Sequence, residues 1–392
     1  MDLATTPVTA DLLHGAVDIR PTEHGPRPMR LPAWALEQAH DPLMDDLAAQ
    51  TSGVRLALRT RATVIELDTL PTKRSSPGTP PRPAGVYDLL VNGHLTAQGH
   101  VDGGNTLVID PGTGAVEHRP GPTGTVRFTG LPARDKDVEI WLPYNEATVP
   151  VALRTDAPVH PAPDRGRPVW VHHGSSISHG SDAVSPTAIW PAVAASRAGA
   201  HLVNLGLSGN AVVDPFTART MRALPADLIS VKLGINVVNQ DAMRRRAFGP
   251  AVHGFLDTVR EGHPSTPLVV VSPIHCTIHE EVPGPTQPDM SALAGGRLSY
   301  LALGDPAERA AGRLALTDIR CELARIVRER AARDPHLHYL DGRELYGEAD
   351  AAELPMPDAL HPDTAAHHRI GTRFADLVAG LLTDTAATPK AG

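Results

Sequence analysis

Four short strings in this chain carry residue types suited to acyl transfer. They are Gly174-Ser175-Ser176-Ile177-Ser178-His179-Gly180, Asn204-Leu205-Gly206-Leu207-Ser208-Gly209-Asn210, Leu233-Gly234-Ile235-Asn236 and Asp358-Ala359-Leu360-His361-Pro362-Asp363. A serine hydroxyl is a weak nucleophile at neutral pH and needs a base beside it. The imidazole of His361 can take the Ser176 proton, and a carboxylate on its other nitrogen would fix the tautomer and stabilise the imidazolium. Asp358 stands three residues before His361, a spacing that fits a single turn and lets both side chains point the same way. The tetrahedral intermediate then needs donors aimed at its oxyanion. The Ser176 N–H, the Gly209 N–H and the Asn236 side-chain amide are the expected donors. Alone, each string is ordinary. Ser176 would be a turn serine capping the next segment, Asn236 a turn residue, Gly209 a positive-φ glycine, and Asp358 and His361 a surface loop pair. Four of them in order, each after an expected strand, point to catalysis.

Those strands are read from apolar runs. Val169-Trp170-Val171, His201 to Leu205, Leu228 to Leu233, Leu268 to Val271 and His338 to Leu340 alternate with helical stretches near 189–198, 251–260, 316–330 and 364–381. Leu268-Val269-Val270-Val271 is continuously apolar, as a parallel strand buried on both faces should be. Alternating strands and helices predict a three-layer α/β/α sandwich with a parallel sheet over 169–382. In such sheets ligands sit at the carboxyl ends of the strands. Ser176 follows the first strand, Gly209 the second, Asn236 the third, and Asp358 and His361 the fifth, so all fall on one rim.

The first 155 residues have a different period. Val54-Arg55-Leu56-Ala57-Leu58-Arg59 alternates apolar groups with charges expected to face outward, and Val138, Ile140 and Leu142 alternate with Glu139 and Trp141. A period of two marks half-buried strands, and Asn92-Gly93 is a strong hairpin signal. An antiparallel β-sandwich, jelly-roll-like, is expected over 1–155. The stretch 156–168 carries four prolines and reads as a stiff linker. The tail at 383–392 is expected to be disordered.

Composition narrows the function classes. The formal net charge is −8 and no dense basic stripe appears, which argues against a nucleic-acid partner. Arg244-Arg245-Arg246 reads as a solvated helix end. Cys276 and Cys321 belong to no CxxC pair, and Cys276 has no paired base in view. The chain holds 20 histidines, but His172, His173, His361, His367 and His368 match no standard metal spacing, so neither metal nor cofactor is expected. No apolar run approaches the ~20 residues that span a bilayer, and the first residues lack a signal-peptide pattern. No membrane partner and a cytoplasmic location are expected. The segment 275–312 is long and rich in Pro and Gly, and is expected to overhang the rim as a lid or acceptor-binding loop.

The four strings resemble those of the SGNH (GDSL-type) hydrolase superfamily, whose Ser, Gly, Asn and His stand in four separated blocks. The order and spacing match over 168–382. One departure is Ser175, where the family usually has Asp; that Asp is not the triad acid, so the mechanism survives. Val138 to Asn145, Arg30-Leu31-Pro32 and Gly53-Val54-Arg55 resemble a β-sandwich module found ahead of some bacterial SGNH domains. That two-domain layout is similar to an acyltransferase that attaches a salicylyl group to a tetracycline-type polyketide, and to carbohydrate acetylesterases. The resemblance implies a serine esterase acting on a small acyl ester. It leaves open an acyltransferase moving an acyl group from an ester or thioester to a hydroxylated acceptor, and a catalytically dead carbohydrate-binding protein.

Overall fold

Two compact units emerge from the two periodicities in a computed structural model that describes residues 3–39, 41–79, 83–110 and 112–386. The first unit holds two six-stranded sheets. One runs in the order Ala4–Thr6, Ala147–Thr155, Ile65–Ser75, Asn105–Ile109, Val116–Arg119, with Gly124–Phe128 also on Ile65–Ser75. The other runs Val159–Pro161, Arg55–Thr60, Lys136–Trp141, Val86–Val91, His94–His100, with Leu13–His14 also on Arg55–Thr60. Pairing is antiparallel except between Ile65–Ser75 and Asn105–Ile109. Leu56, Leu58 and Ile140 from one sheet share a core with Ile65, Leu67 and Val126 from the other, which makes the unit a β-sandwich. The Asn92-Gly93 hairpin forms as expected, with both residues at positive φ (51° and 82°).

Two expectations for this unit need correction. The Pro-rich stretch is built into the unit as far as Gly166, rather than serving as a linker from Asp156. Val159–Pro161 pairs with Arg55–Thr60 at the edge of its sheet, where a proline need not donate to a ladder. Arg55, expected to face outward, is 2% exposed. Its guanidinium lies 4.7 Å from the Trp141 ring centroid and donates to the Gly53 carbonyl, so its charge is matched inside the fold. Val184–Thr187 also counts with this unit, where Ser185 and Thr187 donate to the Asp88 carboxylate.

The second unit is a five-stranded parallel sheet. Its strands are β1 (Val169–Gly174), β2 (His201–Gly206), β3 (Leu228–Lys232), β4 (Leu268–Val271) and β5 (Leu337–Leu340), in the spatial order β2-β1-β3-β4-β5. Its helices include α1 (Ser176–His179), α2 (Trp190–Ala198), α3 (Pro215–Ala223), α4 (Ile235–Asn239), α5 (Arg245–Gly262), α6 (Leu316–Ala331) and α7 (Thr364–Ala386), besides other short turns of helix. Side-chain alternation along β1 fills both faces. Trp170 stacks on Phe374 of α7, with Trp190 of α2 beside it, while His173 stacks on Phe255 of α5. This is the three-layer α/β/α arrangement. Helix α7 runs through 383–386, residues expected to be disordered; the rest of that tail lies outside the described residues. Among the described residues no helix is long and apolar enough to cross a membrane.

Candidate active site

Strand β1 ends at Gly174 and the chain turns at once into α1. From Val171 to Gly180, Ser176 is the one residue that is not buried. Ser175 closes the turn: its carbonyl accepts from Ser178 N (3.0 Å) and His179 N (2.9 Å). The first N–H groups of a helix have no partner within it, so α1 itself makes no use of the Ser176 N–H.

A buried polar network supports this turn. Ser178 Oγ lies 2.8 Å from His172 Nε2, and His172 Nδ1 lies 2.7 Å from Ser230 Oγ, which also accepts from Trp170 Nε1. Asn204 Nδ2 donates to the Ser178 carbonyl at 2.9 Å. Burial, then the nearby His173 and Lys232, hold His172 well below the ordinary imidazole range, so it is neutral and structural. Gly206 lets α1 approach β2: a Cβ there would lie 2.5 Å from His179 N.

The loop after β5 brings His361 to the turn. His361 Nε2 lies 2.9 Å from Ser176 Oγ, and His361 Nδ1 lies 2.6 Å from Asp358 Oδ2. Asp358 Oδ1 accepts from Leu360 N (2.8 Å) and His361 N (2.7 Å). The three-residue spacing is not a helical turn, because Ala359 sits at φ 68°; the loop folds around the carboxylate instead. Burial pushes the Asp358 carboxyl up, but the His361 ring and the two N–H groups outweigh it and hold the group below the usual carboxylate range. An ionised carboxylate only accepts, so it keeps the proton on Nδ1 and leaves Nε2 to accept from Ser176.

The other expected donors lie on neighbouring strand ends. Asn236 is 1% exposed, and its Oδ1 accepts from Ala211 N at 3.0 Å. An N–H can bond only to the amide oxygen, so this contact fixes the orientation of Nδ2. Gly209 adopts φ 73°, and the Gln240 side chain donates to its carbonyl.

Other sequence candidates take structural roles. Cys276 is buried, which pushes its thiol up to about 12 and disfavours a nucleophilic thiolate. His367 accepts from Trp190 N and donates Nε2–H to the Ser181 carbonyl. His368 is exposed. Asp182, which no sequence pattern marked, comes close to the pair: it, Asp358 and His361 each offer a ligand atom within 4.8 Å of the others. Two of those three are already bonded to each other, and a cation there would compete with Ser176 for the base. The segment 275–312 is not a bare loop. It holds a hairpin, Thr286–Pro288 with Tyr300–Ala302, and a helical turn, Met290–Ala294. Tyr300 donates its N–H to the Asp358 carbonyl at 3.0 Å, and its ring stands 6.0 Å from the His361 ring at 77°. No spacing rule pointed to this residue.

A model of the GDSL-like lipase/acylhydrolase family matches residues 173–369, just over half of the chain. The chain belongs to this family. Its matched stretch contains all four strings. Across both units the chain is similar to the salicylyl-acyltransferase SsfX3 from a tetracycline biosynthetic pathway: 27% identity, TM-score 0.78, 97% of each chain covered. It also resembles a GDSL-like lipase from Bacteroides ovatus, described as such only by likeness (17% identity, TM-score 0.69, 97% of this chain and 98% of that one). An acetyl xylan esterase, Est2A, from the rumen bacterium Butyrivibrio proteoclasticus shares the fold at 11% identity and TM-score 0.52, over 98% of this chain and 99% of that one. Comparison with curated proteins found no match. This GDSL family member is therefore a hydrolase-family enzyme whose structural neighbours include an acyltransferase and esterases.

Proposed function

We propose that the protein is a serine esterase that cleaves a small acyl ester through an acyl-Ser176 intermediate. The observation that carries this reading is the hydrogen-bonded line Ser176 Oγ–His361 Nε2, His361 Nδ1–Asp358 Oδ2. His361 takes the Ser176 proton as Oγ attacks the ester carbon. The carbonyl oxygen becomes an oxyanion, received by the Ser176 N–H, the Gly209 N–H and the Asn236 amide. Collapse expels the alcohol, which leaves with the proton from His361. Water, deprotonated by His361, then attacks the acyl-enzyme and releases the acid, restoring Ser176. Asp358 remains a carboxylate throughout and stabilises the imidazolium. Losing one oxyanion donor costs on the order of 100- to 1000-fold in rate.

Likeness to SsfX3 over both units favours a second reading, in which an alcohol replaces water in the second half-reaction. Both readings use the same residues. The test is hydrolysis of short and long p-nitrophenyl esters, with and without alcohol acceptors. Wild type is expected to release p-nitrophenol, and Ser176→Ala to lose at least ~1000-fold in kcat. A folded wild type inert to every ester would sink the reading. Acyl appearing mainly on the alcohol would favour the transferase.

A further inference from the structure

We propose that Tyr300 selects the alcohol half of the substrate, favouring an alcohol that carries a ring. The inference rests on the assignment of Ser176 and His361 above. In serine acyl transfer the two halves of an ester go to different places. The acyl oxygen turns toward the oxyanion donors. The alcohol oxygen must come to His361 Nε2, since that nitrogen protonates it on leaving and deprotonates it on attack. A side chain packed beside the His361 ring therefore meets the alcohol rather than the acyl chain.

Tyr300 is that side chain. Its half-buried ring lies 6.0 Å from the imidazole, nearly perpendicular at 77°. The ring is held by backbone as well as by packing. Tyr300 N–H bonds the Asp358 carbonyl at 3.0 Å, Asp289 N bonds the Ser299 carbonyl at 2.8 Å, and Leu303 N bonds the Pro285 carbonyl at 2.9 Å. The hairpin pairing of Thr286–Pro288 with Tyr300–Ala302 completes the support. A fixed aromatic wall adds affinity for a second ring placed edge-on or offset against it, and little for a methyl group.

The experiment compares esters that share one acyl group. Benzyl acetate and methyl acetate yield the same acetyl-enzyme and differ only in the departing alcohol; methyl benzoate varies the acyl side. Their kcat/KM values are measured for wild type, Tyr300→Phe and Tyr300→Ala. All three keep the backbone N–H that bonds Asp358. The benzyl-to-methyl ratio is expected to fall about fivefold in Tyr300→Ala and to survive in Tyr300→Phe. The ratio of methyl benzoate to methyl acetate is expected to stay unchanged. A general loosening of the loop would lower all three esters alike and leave the ratios intact, which would overturn the inference. So would a change confined to the acyl ratio. A wild type that hydrolyses none of them overturns the Ser176 reading together with this one, whereas activity with unchanged ratios overturns this one alone.

Discussion

Ser176 and His361 meet across 2.9 Å but are held there by opposite means. The serine turn is set by packing. It sits at the end of a central strand, over the buried His172, Ser178 and Ser230 network, with α1 pressed against Gly206. The histidine loop is organised by a charge. It is folded around one carboxylate, which takes two backbone N–H groups and the ring, and Tyr300 tethers it from outside the loop. The contrast teaches where each half is fragile. Changing a volume should disturb the fold of the serine turn, and changing a charge should disturb the proton placement in the histidine loop while sparing its shape.

The largest effect that would separate the two is Asp358→Asn. The amide oxygen can still receive the Leu360 and His361 N–H groups, so the loop should keep its shape. The tautomer is lost, and kcat is expected to fall about 10,000-fold with a small change in Tm. The pH dependence follows from the depressed Asp358 pKa. Its ionised form contributes stability that is fully present above the unfolded carboxylate pKa of about 4 and is lost as pH falls through the lower folded value. The stability gap between wild type and Asp358→Asn should therefore be flat above about pH 5 and shrink in acid, as urea unfolding at several pH values would show. A smaller effect belongs to the serine turn. Gly206→Ala places a Cβ against the α1 backbone and is expected to cost about 1–3 kcal/mol in urea unfolding. An unchanged stability there would mean that packing does not set the turn.

Much of the fold is legible in the sequence alone. The strands of the parallel sheet are short apolar runs, and residues close behind a strand end must lie on its rim, which is how the sequence singles out Ser176, Gly209 and Asn236; His361 stands well beyond Leu340 and is singled out by its own string, Asp358 to Asp363, instead. Asn92-Gly93 declared itself because a two-residue hairpin needs positive φ. The failures share a cause. Whether proline stiffens a linker or caps a sheet edge depends on whether a partner strand lies beside it, as Arg55–Thr60 lies beside Val159–Pro161. Whether Arg55 faces water depends on Trp141, far along the chain. Helix α5 begins at Arg245 rather than near Ala251, because Pro250 near its start costs a hydrogen bond without ending it. Tyr300 owes its place to a hairpin inside a Pro- and Gly-rich excursion with weak periodicity.

The most direct test is to label the folded protein with a fluorophosphonate and map the adduct by peptide mass spectrometry. A single adduct on Ser176, absent from Ser175 and Ser178 and lost in Ser176→Ala, is the predicted result. An adduct on another residue, or no adduct on protein that is folded by circular dichroism, would contradict the assignment of Ser176 as the nucleophile.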